Sequence, residues 1–235
     1  MKYKIKRRTK MKLYPFEIDN SLKLMDLISF KPGTFYKFFL VIRKKDGSSI
    51  ADYLTTTKKE KVIKYWIIES KEAFDKYFPE MNFFCQTFPG SRLYLVLDRK
   101  DTKKSLRRLR DRSIEELDCC VDGGKPLTGR AINRIHSSIT SEPETTDRSA
   151  MKYMLDVDIK DFEKYDEFLF DLKNLLKGLG FEEDAMVILE TKNGKHVILQ
   201  RKFDSNKLGA LCSRYDFVEY KTNSAGLILM SKISM

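Results

Sequence analysis

No stretch of the chain approaches the roughly 18 apolar residues that a membrane-spanning helix needs. The basic start "MKYKIKRRTKMK" is not followed by the apolar run that a secretory leader carries. The expectation is a cytoplasmic protein with no membrane partner. Cysteine is sparse: Cys85, Cys119, Cys120 and Cys212 form no CxxC pair, which argues against a disulfide frame and against a zinc-binding stem. There is no internal repeat and no low-complexity tract. Histidine occurs only twice, at His136 and His196, and His136 has no neighbours that suggest a role. Positive charge, by contrast, is plentiful. Forty-five Lys and Arg against 34 Asp and Glu give a net charge of +11, which favours a polyanionic partner, nucleic acid before membrane. The chain has 235 residues, 42% of them hydrophobic, enough for a folded protein with a real core.

The first half carries strand patterns at 35–45 ("FYKFFLVIRKK"), 61–70 ("KVIKYWIIES") and 91–100 ("SRLYLVLDRK"), rich in β-branched and aromatic residues. Between the last two, "SKEAFDKYFPEM" predicts a short helix capped by Ser70 and stopped by Pro79. Residues 99–118 predict an amphipathic helix with Leu106, Leu109, Ser113 and Leu117 at helical spacing. Lys103, Lys104, Arg107, Arg108, Arg110 and Arg112 would form its basic surface. Residues 121–150 mix Gly, Pro, Ser and Thr with few apolar anchors and read as loop or linker, with 141–147 the most mobile.

The second half is more regular. A strand at 153–159 precedes a helix at 160–180, with Phe162, Tyr165, Phe168, Leu169, Leu172 and Leu176 on one face. Strands at 185–191 and 195–202 follow, joined by the hairpin signal "KNG". A short helix near 205–213 leads to strands at 216–222 and 226–233, read as a final hairpin. The order β-α-β-β-α-β plus one strand is that of a ferredoxin-like or RRM-like sheet. The expected fold is therefore α+β: an N-terminal α/β module (1–120), a linker (121–150), and an antiparallel RRM-like module (151–235) with helices on one face.

Within this second half "MLDVDI" sets Asp156 and Asp158 one residue apart in an apolar strand. Alternation sends both to one face, about 7 Å apart, close enough to share a cation. Buried acids need a partner, and oxygen ligands suit a hard divalent ion such as Mg²⁺. A third acid, Glu219 or its neighbour Asp216, would face them if the strand after the second helix pairs with the first. His196, in "KNGKH", sits beside Lys192, Lys195 and Arg201, a set suited to a triphosphate, with Gly194 allowing close backbone approach.

These three pieces, "MLDVDI", "NGKH" and "FVEYK", in that order, resemble the signature of the archaeo-eukaryotic primase superfamily. That superfamily includes primase-polymerases and many phage and plasmid replication proteins. The pieces lie about 40 and then about 20 residues apart, and the resemblance spans 151–233. Two departures stand out: the family's third acid is usually aspartate, and its second motif is often longer and Ser-rich. The resemblance implies Asp156, Asp158 and Glu219 as ligands of two Mg²⁺ or Mn²⁺ ions, with His196 touching the incoming nucleotide. It further implies NTP or dNTP substrates, a single-stranded DNA or RNA template and a replicative helicase as partner. Template phosphates would lie on the 103–112 helix and on the N-terminal Lys6, Arg7 and Arg8. Two other readings use the same residues: a non-catalytic single-strand-binding protein, and a metal-dependent nuclease. A generic RNA-binding sheet is disfavoured because no strand carries a "GFGFV"-like aromatic run.

Overall fold

The computed structural model describes residues 13–46, 60–124, 126, 128–141, 143–159, 162–182, 185–200, 204–221 and 224–233. It is α+β, with two antiparallel sheets and, among the described residues, six helices. In chain order these are β1 (Phe16–Asp19), α1 (Leu24–Leu27), β2 (Thr34–Arg43), β3 (Glu60–Ile68), α2 (Lys71–Thr87), β4 (Arg92–Val96), β5 (Lys100–Asp101), α3 (Thr102–Val121) and α4 (Gly129–Ser141). The second half adds β6 (Tyr153–Asp158), α5 (Phe162–Gly178), β7 (Met186–Glu190), β8 (Gly194–Leu199), α6 (Ser205–Cys212), β9 (Val218–Lys221) and β10 (Ala225–Ser231). Among the described residues no helix is long and apolar enough to cross a membrane.

The first sheet has the order β1-β10-β4-β2-β3, with β5 on β2, and the second has the order β7-β8-β6-β9. The second sheet buries one face under α5 and α6: Leu155, Val157, Val197 and Leu199 pack against Phe168, Leu172, Leu208 and Leu211. Part of its other face, Met154, Val187, Leu189 and Ile198, joins the core of the first sheet with Phe38, Leu93, Leu95 and the inner face of α2. The two sheets thus share a core. Polar contacts fix the junction. The Asn20 amide donates to Glu190 O and Leu227 O and accepts from Glu190 N, each at 2.9 Å.

Four expectations are corrected. The strand at 226–233 does not form a hairpin with its predecessor; as β10 it leaves the second sheet and pairs with β1 and β4 in the first. "GLILM" is apolar at every side-chain position, so it is stable only where both faces and both edges are covered, whereas "VEYK", with exposed Glu219, suits the edge position of β9. The 151–235 module boundary therefore cuts through a sheet. Gly226 lies at the crossing, where a Cβ would come within 3.0 Å of Leu189 Cδ1 and 3.1 Å of Leu97 Cδ2.

Second, α2 runs through Pro79 to Thr87. Ser70 does cap it, accepting from Ala73 N at 3.1 Å, and Pro79 is exposed, so the carbonyl left without a donor one turn earlier can meet water. Third, the segment read as linker holds α4, which packs on α3 through a bidentate Arg134–Glu116 pair, both contacts 2.6 Å. Its Ser and Thr residues disfavour a helix in isolation, and tertiary packing overrides that preference. Thr145 and Thr146, placed in the supposedly mobile part, are buried. Fourth, α3 buries Ser105 and Glu116 and leaves Leu106 and Leu117 exposed, so its apolar residues do not form the inward stripe.

Arg99 fastens residues 143–150 to the first sheet, donating to Asp147 Oδ2 (2.8 and 3.1 Å) and to Ser29 O (2.7 Å). Burial pushes the Asp147 carboxyl up, but hydrogen bonds from Ser149 and Arg99 outweigh it and hold the pKa at about 2. A folded-state pKa below the ordinary value gives stability that is present above about pH 4 and lost as pH falls toward 2. Asp147→Asn is expected to lower unfolding free energy at pH 7 by about 2 kcal/mol. In urea titrations from pH 7 to 3 the gap to the native protein should narrow on the acid side; a pH-independent gap would refute this assignment.

Candidate active site

β6 alternates inward and outward so that Met154, Asp156 and Asp158 leave the face opposite α5 and α6. Its register sets Asp156 beside His196 of β8 on one side and Glu219 of β9 on the other. Directly paired side chains in a sheet are about 5 Å apart, so the three groups are immediate neighbours. Beyond the apolar junction, this face diverges from the first sheet and leaves a cleft of about 730 Å³. Its acidic wall carries Asp156, Asp158 and Glu219; the facing wall carries Phe39, Val41, Tyr94 and Arg43 with its ion-pair partner Glu60, with Lys45 just past the end of β2. The Phe39 and Tyr94 rings stack, with centroids 5.4 Å apart. A narrower recess adjoins it, lined by Arg92, Thr191, Lys192 and Asn193.

His196 lies on the cleft floor and is buried. The Leu227 backbone N–H of the first sheet donates to its Nδ1 at 3.3 Å, which leaves the ring proton on Nε2, 3.5 Å from Asp156 Oδ1. Burial lowers its pKa to about 4, more than the Asp156 charge restores, and Lys221 and Arg92 lower it further. The imidazole is therefore neutral at pH 7, with both nitrogens turned toward protein groups.

The other side of Asp156 is occupied by Lys221. Its ammonium donates to Asp156 Oδ2 and lies 3.2 Å from Glu219 Oε2. Burial lowers the Lys221 pKa, and Asp156 and Glu219 together more than reverse it, so it ends above its ordinary value. The Asp158 backbone N–H donates to Phe217 O at 2.9 Å, while its carboxylate is exposed and makes no hydrogen bond or ion pair among the described residues. Among those residues, no group of three or more His, Cys, Asp or Glu side chains is arranged to hold a metal ion. Two of the acids expected as ligands instead share a lysine.

The remaining site expectations divide. Lys192 is at the recess, 3.9 Å from Asp46 Oδ1. Lys195 pairs with Val157, whose side chain faces α5, so Lys195 points away from the cleft and binds Glu190 at 2.6 Å. Gly194 is required by the sheet itself: a Cβ there would lie 1.8 Å from Val157 O. Asp216 lies outside the cleft, in a separate depression with Lys164, Glu167 and Arg214. Arg201, Lys6, Arg7 and Arg8 lie outside the described residues.

The basic helix α3 lines a different depression, with Lys104, Arg107, Arg108 and Arg148. Arg108, Arg110 and Arg112 are engaged by Glu115, Asp111 and Glu116, while Lys103, Lys104 and Arg107 remain exposed without ion pairs among the described residues. Phe39 and Tyr94 and four cationic site residues escaped the sequence reading. Lys221 was legible, since it shares the face of Glu219 by alternation. Arg43, Lys45 and Arg92 reach the site through long-range strand pairing that has no local signal. Comparison with family models, curated proteins and solved structures gives no match to the chain.

Proposed function

We propose that the chain is a primase-type nucleotidyltransferase that joins NTP or dNTP to a 3'-hydroxyl on a single-stranded template. One observation carries this reading: Asp156 is flanked in register by His196 and Glu219 on the wall of a cleft whose opposite wall is basic and aromatic. The order β7-β8-β6-β9, with α5 and α6 on one face, supports a ferredoxin-like, RRM-like module beneath that site.

The donor chemistry of Asp156, Asp158 and Glu219 suits Mg²⁺ or Mn²⁺, hard ions that prefer carboxylate oxygens. The Lys221 ammonium between two of these acids is a stand-in cation. Bound metal would lower the pKa of the attacking hydroxyl and neutralise charge on the phosphates. Arg43 and Lys45 face the acids and can receive phosphate oxygens. Tyr94 and Phe39 offer a ring surface on which a base can stack. His196, neutral and hydrogen-bonded to β10, orients Asp156.

The test is nucleotide incorporation on single-stranded DNA with Mg²⁺ or Mn²⁺, comparing the native protein with Asp156→Ala plus Asp158→Ala. The expected outcome is product from the former and none from the latter. One observation favours a second reading, a non-catalytic single-strand-binding protein: Lys221 already neutralises the acidic centre. Absent product from both proteins, with tight and salt-sensitive DNA binding by both, would select it.

A further inference from the structure

We propose that Lys221 is a built-in counter-ion that competes with divalent metal for the acidic centre and leaves it by transferring to the phosphates of an incoming triphosphate. This rests on the nucleotidyltransferase reading. It starts from a conflict in the geometry. Three carboxylates on one face of a sheet repel one another, and the folded chain relieves this with a cation of its own, set between Asp156 Oδ2 and Glu219 Oε2. While the ammonium stays there, two of the three acids are committed and only Asp158 is open. A divalent ion would have to enter with a positive charge as its neighbour, and in a partly desolvated cleft that repulsion is several times stronger than in water.

Lys221 is suited to leaving. It stands on the edge strand β9, its side chain is about one-third exposed, and Ser224 and Ala225 beside it on the cleft are small. A lysine on a flexible four-carbon stem can re-aim its three donors at little cost, unlike the planar fork of an arginine. What it needs is a better partner, and a triphosphate in the cleft supplies several anionic oxygens at once. The exchange makes the two ligands cooperative: phosphate draws the ammonium off, and the vacated carboxylates accept the metal. Such coupling is reciprocal. The metal site of the native chain would then be weak without nucleotide and strengthened by it, which fits the absence of a ready-made acidic cage among the described residues.

The experiment uses two probes on the full chain: Mn²⁺ alone, followed by the electron paramagnetic resonance signal of the free ion, and inorganic tripolyphosphate without metal, followed by calorimetry. Lys221→Met should bind Mn²⁺ at least about tenfold more tightly than the native protein and tripolyphosphate about tenfold more weakly. Lys221→Arg, which keeps the charge, should retain the weak Mn²⁺ binding. Asp156→Asn added to Lys221→Met should abolish the gain. A purely structural role would not move the two affinities in opposite directions. Circular dichroism confirms folding, with Lys221→Gln as the second neutral variant. If native and Lys221→Met proteins bind Mn²⁺ equally, and Asp156→Asn weakens both, the counter-ion role is overturned while the acids remain metal ligands. Unchanged tripolyphosphate affinity in Lys221→Met would likewise overturn the exchange. No Mn²⁺ binding by any variant would overturn both the metal centre and this inference.

Discussion

Gly194→Ala is expected to destabilise the protein by at least about 3 kcal/mol and to displace the acidic pair. Gly194 opens β8 opposite Asp158, at the point where the hairpin from β7 folds over the end of β6. An added Cβ would sit 1.8 Å from Val157 O and 2.9 Å from Ile159 N. Both are backbone atoms of the paired strand, so no rotamer change can relieve the overlap. The strands must part, and parting them breaks the hydrogen bond from Ile159 N to Asn193 O (3.1 Å) and disturbs the one from Thr191 N to Gly194 O (2.9 Å). Asp158 moves with β6, while Asn193 and His196 move with β8. Gly209 provides the internal comparison: it lies within α6 with open space where its Cβ would be, so Gly209→Ala should be neutral or stabilise by up to about 1 kcal/mol. Urea unfolding of the two variants measures the contrast. A Gly194→Ala protein with native stability and native Mn²⁺ response would show that the strands are not held this close.

That glycine also marks how the sequence should be read. "NGKH" suggested a hairpin glycine that also makes room for a ligand. Among the described residues the positive-φ glycines are Gly33, Gly90, Gly124 and Gly180, and Gly194 is required by the approach of its own neighbouring strand. Local pattern was informative where the periodicity was long and one-sided. The strand of Asp156, the α5 face of Tyr165, Phe168, Leu172 and Leu176, the Ser70 cap and the β7–β8 hairpin all appear where alternation or helical spacing put them. It failed where a residue's environment comes from far along the chain. Nothing near "GLILM" announces that β10 joins β1 and β4, and nothing near "SRLYL" announces that Arg92 will border the acidic site. Lys195 is a different failure. Once Asp156 and His196 are placed on one face, alternation alone turns Lys195 to the other, and the same rule brings Lys221 in.

Asp46→Ala is expected to cost about 3–5 kcal/mol, because it leaves a buried guanidinium without its counter-charge. Arg92 begins β4 on the cleft side of the first sheet and donates to Asp46 through Nε (2.9 Å) and Nη2 (2.6 Å), with the side chains only 7% and 2% exposed. Its remaining nitrogen reaches Tyr94 Oη at 3.3 Å, and Lys192 stands 3.9 Å from Asp46 Oδ1 across the recess. Asp46 thus holds together the end of β2, the start of β4 and the β7–β8 turn. Removing it frees a positive charge beside the neutral His196 and the acids beyond it, so the cleft should lose its shape as well as stability. Arg92→Met in the same background should recover much of the loss, since an apolar pair of similar volume carries no desolvation penalty. The double-mutant cycle should give a coupling of at least about 2 kcal/mol. High salt should leave that coupling nearly unchanged, because screening acts weakly on buried pairs. The exposed Arg43–Glu60 pair, at 3.3 Å, should contribute under about 1 kcal/mol and fade with salt. Additive losses from Asp46→Ala and Arg92→Met, with no coupling, would mean that the two side chains stabilise the first sheet independently and that the recess is not held by their pair.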